Sequence, residues 1–434
     1  MEKDFNPPKG LRDFPPEVEI LRKNVFSRIE RIFQNYGFDP IETPIVENWE
    51  VLKGKYGEEA ENRLIWRFKL PYSDKEYGLR YDLTVPLARF FARFRPKTPF
   101  KRYHIGRVFR YEEPQKGRYR EFWQCDFDIV GSSSTLADAE ILNVVIDVFE
   151  EFGFKNYTIK LNDRRILRGI FEESLGIKDY QTILKIYRTI DKLDKIGKEK
   201  VLEELRNLGL NENSLKKVEE LIDISETKNN EEILNFLEKF ENENVKIGSK
   251  TLREILEYVK NPERIKIDLS LVRGLDYYTG MIYEAVVSEP KIGSLSGGGR
   301  YDELIGMFIG QKVPAVGGSI GVERLIDAGL ELGIFKLDKK TYSKVGVIYL
   351  ESADIKKVLE VVNKLRSSGI NTYFHFDAFR NVVEGIKEID KRGIEYALII
   401  GSEELKENKF TLQNLITRER KKLSLEEIIK ILKE

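Results

Sequence analysis

Two runs of strand-forming residues, 100–112 and 118–130, are separated by only Glu113-Pro114-Gln115-Lys116-Gly117. A proline and a glycine in so short a connection turn the chain back on itself, so the two runs read as an antiparallel hairpin with a mobile loop. Side chains two apart on a strand share a face. Gln124, Asp126 and Asp128 therefore project together, and Cys125, Phe127 and Ile129 project the other way. One face is apolar and the other is a row of hydrogen-bond acceptors. By the same rule Arg110 and Glu112 share a face, as do Arg80, Asp82 and Thr84 on a strand read over residues 77–84. Acceptors able to hold an ammonium stand near donors able to hold a phosphate. That pairing fits an amino acid bound beside a nucleotide.

The chain carries 73 basic and 73 acidic side chains, so any contact with nucleic acid must come from a local patch. Between Arg89 and Arg120 stand eleven lysines and arginines against two acids, Glu112 and Glu113. Such density suits polyphosphate or a nucleic-acid backbone, and a solvated charged surface is the plainer alternative. Cys125 is the single cysteine, and His104 and His375 are the two histidines, which leaves no disulfide and no metal tightly bound by Cys or His. No apolar run approaches the ~18 residues of a membrane span, and the first residues are charged; the chain reads as cytoplasmic, with no membrane contact.

At 434 residues, two or three cores are expected. Apolar spacing predicts a helix over 16–36, ended by Gly37, and a strand over 38–45 that Pro40 and Pro44 confine to an edge. Further strands read over 64–70 and 77–84, with helices over 85–94 and 136–152. From 164 to 260 the chain is dense in Lys and Glu with helical spacing, which reads as a helical insertion. After a polar linker at 336–343, strands and helices alternate to the end and predict an α/β domain of roughly 90 residues. The expected division is 1–163 with 261–335, the insertion 164–260, and 343–434.

Residues 271–280, Leu-Val-Arg-Gly-Leu-Asp-Tyr-Tyr-Thr-Gly, gather one guanidinium, one carboxylate and two phenols beside two glycines. Arg273 offers fixed donors for a phosphate or carboxylate, and Tyr277 and Tyr278 offer flat walls with hydroxyls. The alternative is an aromatic edge strand with a surface ion pair.

Several of these segments together resemble a known family. Residues 109–112 with 118–124 resemble motif 2 of the class II aminoacyl-tRNA synthetases, and 316–325 resemble motif 3. The first helix with the Pro44 strand is similar to motif 1, through which such enzymes form dimers. Residues 271–280 and 297–302 are similar to the signature motifs of the histidyl-tRNA synthetase family, with Gln124-Cys125-Asp126-Phe127-Asp128 as in its archaeal and eukaryotic branch. The likeness runs in order along essentially the whole chain.

The resemblance implies an α+β catalytic domain with a mostly antiparallel sheet flanked by helices, the helical insertion, and a C-terminal α/β anticodon-binding domain. It implies L-histidine, ATP with Mg²⁺, and tRNA(His) as partners, in a homodimer. Asp82, Leu83, Thr84, Gln124 and Asp128 would hold the histidine, with Tyr277 and Tyr278 about its imidazole. Arg110 and Arg273 would grip the α-phosphate from two sides and so carry the catalysis. Glu112, Arg118, Phe122 and Arg324 would bind ATP, and Gln115 would meet the acceptor end of the tRNA. Some members of the family carry Glu where this chain has Asp82 and Asp128. A regulatory subunit of ATP phosphoribosyltransferase resembles the same catalytic domain, but generally lacks the C-terminal domain and the signature residues, both of which this chain retains.

Overall fold

A computed structural model describes residues 5–57, 60–174, 176–177, 179–272 and 277–433. Arg273 and Asp276 lie outside the described residues. The chain divides into two compact units, Met1–Asp13 with Val25–Phe335 and Phe14–Asn24 with Lys336–Glu434.

The first unit is built on an eight-stranded sheet. Its strands are β1 (Asp39–Pro40), β2 (Phe100–Phe109), β3 (Glu121–Val130), β4 (Tyr157–Asp163), β5 (Ile265–Ile267), β6 (Met281–Val287), β7 (Ser296–Arg300) and β8 (Ala315–Gly321). They lie in the order β1-β2-β3-β8-β7-β6-β4-β5. The outermost pairs, β1 with β2 and β4 with β5, are parallel, and every pair between them is antiparallel. The expected mostly antiparallel sheet is thus observed, flanked by helices.

The hairpin forms as β2 and β3, with Phe100 opposite Val130 and Phe109 opposite Glu121. It is shorter than the sequence suggested. A last ladder bond runs from Arg110 N to Arg120 O at 3.0 Å, and residues 110–120 then leave the sheet, tied by a bridge between Gln115 and Arg118. Pro114 removes a ladder donor, and the charged side chains around it favour water over a sheet face. Arg110 and Glu112 therefore belong to the connection rather than to one strand face. The strand expected over 77–84 also stops early, at Leu79. Arg80 turns inward to the carbonyls of Arg107 (2.6 Å) and Thr43 (2.7 Å), and Thr84 is the first residue of a helix, α2 (Thr84–Phe94). Asp82 Oδ1 accepts from Val85 N at 3.1 Å, satisfying one of the free donors at the start of α2. A local cap outweighed β propensity here.

Of the expected strand at 38–45, only Asp39 and Pro40 pair, at the sheet edge where a missing N–H costs nothing. The expected strand at 64–70 shrinks to Arg67–Lys69, which joins Val46–Asn48 and Glu76–Leu79 in a small three-stranded sheet.

Helix α3 (Thr135–Phe152) begins where Ser134 accepts from Leu136 N and ends at Gly153, whose φ of 82° suits glycine. It buries Ile141, Leu142, Val145 and Phe149. Helix α4 (Val322–Glu331) follows β8 directly. Residues 25–35 of the first helix bring Phe33 within 5.0 Å, ring to ring, of Phe127 on the apolar face of β3. Between Arg164 and Tyr258 the described chain is helical throughout its regular elements. No described helix is long and apolar enough to cross a membrane.

The C-terminal unit holds a five-stranded sheet of β9 (Val345–Tyr349), β10 (Thr372–Phe374), β11 (Tyr396–Ile400), β12 (Phe410–Asn414) and β13 (Arg420–Leu423), ordered β10-β9-β11-β12-β13. Helices Ile355–Ser367, Val382–Lys391 and Leu425–Lys433 accompany it, and Val347, Val358, Leu365, Leu398 and Ile428 share its core. The alternation read from sequence accounts for all but β13 and the short helix Ser402–Glu407. Arg-Lys-Lys-Leu carries charge at three of four positions, so it resembles no buried strand, and it is an edge.

Candidate active site

Strand β3 pairs with β8 so that Gln124 lies opposite Gly321, Asp126 opposite Ser319, and Asp128 opposite Gly317. The polar row of β3 thus faces small residues, which leave space above the sheet. A Cβ at Gly317 would stand 1.9 Å from Asp128 Oδ1, so the glycine is what lets that carboxylate lie where it does. The space is a cavity of ≈ 210 Å³. Asp82, Thr84, Arg110, Glu112, Arg118, Phe122, Gln124, Asp128, Tyr277, Tyr278 and Arg324 all border it. Leu83, expected in the same group, is fully buried and is not among the residues that border it; its carbonyl accepts from Arg102 Nη2 at 3.2 Å. Gln115 stays on the exposed loop outside the cavity.

One end of the cavity is acidic. Asp82, Asp126 and Asp128 are each 2% exposed. Asp82 accepts from Tyr56 Oη at 2.8 Å through Oδ1 and from Tyr277 Oη at 3.1 Å through Oδ2. Asp128 accepts from Tyr301 Oη through Oδ1, while Arg102 Nη2 lies 2.7 Å from Oδ2. Burial raises the pKa of both carboxyls, against the pull of these donors. Asp126 is pushed up to about 7, first by burial and then by Asp128, although Arg102 opposes the rise. Three buried acceptors here have no hydrogen-bond partner, Asp126 Oδ1, Gln124 Oε1 and Asp128 Oδ2, the last with only its ion pair to Arg102. The amide nitrogen of Gln124 is already committed to Ser319 Oγ at 2.7 Å, which fixes its oxygen toward the open space. Orphaned buried acceptors cost free energy, so this end is built for a donor-bearing ligand.

The other end is basic. Arg110 donates to Tyr81 O at 3.1 Å and lies over the rings of Tyr81 (4.4 Å) and Phe122 (5.2 Å). Arg324 donates to Gly117 O at 2.6 Å and to Ser294 O at 3.0 Å, joining the 110–120 loop to the segment before β7. Gly117 has φ 72°, a conformation that favours glycine. Glu323 accepts from Trp123 N at 2.9 Å and anchors the start of α4 to β3. Arg118 approaches Glu112 only at 3.4 Å. Burial, and then Arg118 and Arg110, lower the Arg324 pKa to about 10. Three guanidiniums that repel one another around one carboxylate make a site for a polyanion.

The apparent basic patch of the sequence breaks up. Arg89 pairs with Glu47, Lys101 with Glu140, and Arg107 with Glu121, acids distant in sequence or across the hairpin. Only Arg110 and Arg118 of the patch border the cavity. Arg300 is also structural, since it grips both oxygens of Asp138 at 3.0 and 2.8 Å, while its neighbour Tyr301 faces the cavity. His104 is buried, and burial with Arg102 and Arg80 holds its pKa down to about 3, as suits a strand residue without a proton-transfer role. Sequence reasoning gave no role to Tyr56, Arg102, Tyr301 or Ser319. Tyr301 and Ser319 lie within the motif segments 297–302 and 316–325 without having been singled out there, Tyr56 and Arg102 lie outside them, and each matters through a partner far along the chain.

A titration follows from Asp126. Its native carboxyl holds a proton up to about pH 7, and a free Asp only to 3.8. The native state binds more protons in that window, so ligand-free protein loses stability as pH rises from about 4 to 7 through this group. Asp126→Asn should remove that slope, gaining on the wild type by a few kcal/mol, in order of magnitude, between pH 4 and 8. Urea melts at both ends of the range measure it, and parallel stabilities would contradict the assignment.

Residues 10–325 match the family model for histidyl-tRNA synthetase, and residues 344–434 match the model for an anticodon binding domain. The histidine–tRNA ligase of Nanoarchaeum equitans (strain Kin4-M) is 50% identical over 425 residues, covering 98% of each chain. That of Aeropyrum pernix is 49% identical over 428 residues, covering 98% of this chain and 97% of the relative. The crystal structure of histidyl-tRNA synthetase from Nostoc sp. PCC 7120 superposes with a TM-score of 0.84 at 33% identity, covering 100% of this chain and 99% of that one. A cavity acidic at one end and basic at the other, on a mostly antiparallel sheet followed by an anticodon-binding unit, accords with these likenesses, and the chain belongs to the histidyl-tRNA synthetase family.

Proposed function

We propose that the chain joins L-histidine to tRNA(His), using ATP and releasing AMP and diphosphate through a histidyl-adenylate. The observation that carries this reading is the polarity of one cavity, with unpartnered buried acceptors at one end and three guanidiniums at the other. A zwitterionic amino acid and a nucleotide fill such a space with their reacting groups in the middle. Asp82, Thr84, Gln124 and Asp128, with the backbone at Leu83, hold the α-ammonium, and Tyr277 and Tyr278 stand against the imidazole. Burial raises both phenols, which therefore stay protonated as donors.

Arg110 holds the α-phosphate, and Arg273 meets it from the other side. Glu112, Arg118, Phe122 and Arg324 bind the rest of the nucleotide. The histidine carboxylate, already ionised, attacks the α-phosphorus in line and diphosphate leaves, so no general base is needed. The buried, weakly basic His104 is no obstacle. Catalysis is then positioning and stabilisation of phosphoryl charge. The Mg²⁺ that accompanies ATP spreads the charge of the triphosphate; Glu112, which Arg118 holds only at 3.4 Å, is the carboxylate at the basic end with capacity for it. The terminal ribose hydroxyl of the tRNA then attacks the adenylate, with Gln115 near the acceptor end.

The same reading makes the protein a cytoplasmic homodimer of catalytic domain (1–163 and 261–335), helical insertion (164–260) and anticodon-binding domain (343–434). Purified chain given tRNA(His), ATP and labelled histidine should form charged tRNA and AMP. Histidine binding without charging would instead mark a sensor. Deleting residues 344–434 should leave histidine-dependent pyrophosphate exchange within about tenfold of the intact chain while tRNA charging falls far more. Equal loss of both would contradict separate roles for the two units.

A further inference from the structure

We propose that Gly10 and Arg12 are positioning residues: residues 8–12 form a strap that holds the loop 110–120 from outside the cavity and so fixes Glu112 for the nucleotide. The inference rests on the ATP reading above and gives a role to residues outside every motif segment.

The strap is shaped for this contact. Leu11 N donates to Pro8 O at 2.9 Å, closing a turn whose third residue, Gly10, has φ 87°. Such a turn favours glycine at that place. Space demands it too, since a Cβ there would stand 2.8 Å from Cγ of both Arg120 and Pro114. The close approach lets Gly10 O accept from Arg120 N at 2.9 Å. Arg12 lies over the ring of Tyr119, 3.4 Å from its centroid, and Tyr119 Oη donates to Asp327 Oδ2 on α4 at 2.9 Å.

Arg120 carries the strap to the site. Its Nε donates to Glu112 O at 3.0 Å and its Nη1 to Lys9 O at 3.3 Å, while its guanidinium lies over the ring of Tyr111 at 3.9 Å. Glu112 is therefore two hydrogen bonds from Gly10. The later half of the loop has its own anchors on α4, Arg324 at Gly117 O and Asp327 at Tyr119. Losing the strap should loosen Glu112 first and leave the acidic end, built on β3 and β8, in place. The ion pair of Lys9 with Glu113 also joins strap and loop, but its side chains are 66% and 76% exposed, so it contributes little.

The test is ATP–pyrophosphate exchange by the full chain with ATP and histidine varied in turn, beside amide hydrogen exchange without substrate. Gly10→Val, which opposes the turn and crowds Arg120, should raise the ATP KM at least fivefold. Arg12→Ala should raise it at least threefold, and both variants should keep the histidine KM within twofold. The Arg120 amide should exchange at least tenfold faster in Gly10→Val, with the amides of β6 unchanged. A role in folding alone would lower the amount of active protein and leave both KM values unchanged, and that result overturns the proposal. So does an equal rise in both. If Gly10→Val does not fold, Arg12→Ala decides by the same kinetic measurements. Histidine-dependent exchange by the wild type is the control: without it the proposed function falls, while the Arg120 amide still tests the strap. Unchanged protection of that amide in Gly10→Val overturns the strap itself.

Discussion

Replacing Arg110 by alanine should lower histidine-dependent pyrophosphate exchange by about 10²–10³-fold, or about 3–4 kcal/mol, the usual loss for a donor that acts on charge developing in the transition state. The guanidinium sits at the junction of the two ends of the cavity. Tyr81 O takes its Nε, and the rings of Tyr81 and Phe122 flank it, so its direction is set before substrate arrives. The effect should fall on kcat, with the histidine KM moving little. Arg110→Lys should recover only a minor part, because an ammonium lacks the planar fork and the stacking faces. Steady-state exchange over both substrates separates these parameters. A loss under tenfold would reduce Arg110 to a structural role.

The largest expected effect on stability lies at Arg102. Its side chain is fully buried, with Asp128 Oδ2 at 2.7 Å and the Leu83 carbonyl at 3.2 Å. Arg102→Leu would leave Asp128 and Asp126 in low dielectric with no cation between them, at a cost of about 3–5 kcal/mol. Protonation of the stranded carboxylates should relieve part of this, so the loss should be greater at pH 8 than at pH 5. Adding Asp128→Asn should cost less than the sum of the single changes, since the uncompensated charge is then gone. Denaturant melts of the single and double variants at the two pH values measure both points. A loss under about 1 kcal/mol at pH 8 would mean that the pair contributes little beyond its packing.

The legible parts of this protein were those set by short-range periodicity. The hairpin, the alternation that brings Gln124, Asp126 and Asp128 to one face, and the β/α order after Val345 all follow from residues near one another in sequence. The errors came where a local cap or a proline ended an element early. Asp82 as a cap to α2 moved Thr84 from strand to helix, and Pro114 released Arg110 and Glu112 from the sheet. Charge was misleading because its partners are remote: Glu47 and Glu140 neutralise residues of the apparent basic patch, and neither could be matched to a partner by spacing. The supporting phenols were invisible for the same reason. Tyr56 and Tyr301 meet Asp82 and Asp128 across 26 and 173 residues of chain, and no local pattern announces such a contact.

Histidine-dependent ATP–pyrophosphate exchange by the purified chain tests the central claim most directly. It requires both ends of the cavity at once and needs no tRNA. Exchange that depends on histidine, and that no other standard amino acid supports at equal concentration, is the expected result. Absence of exchange from folded protein, or exchange driven by a different amino acid, would contradict it.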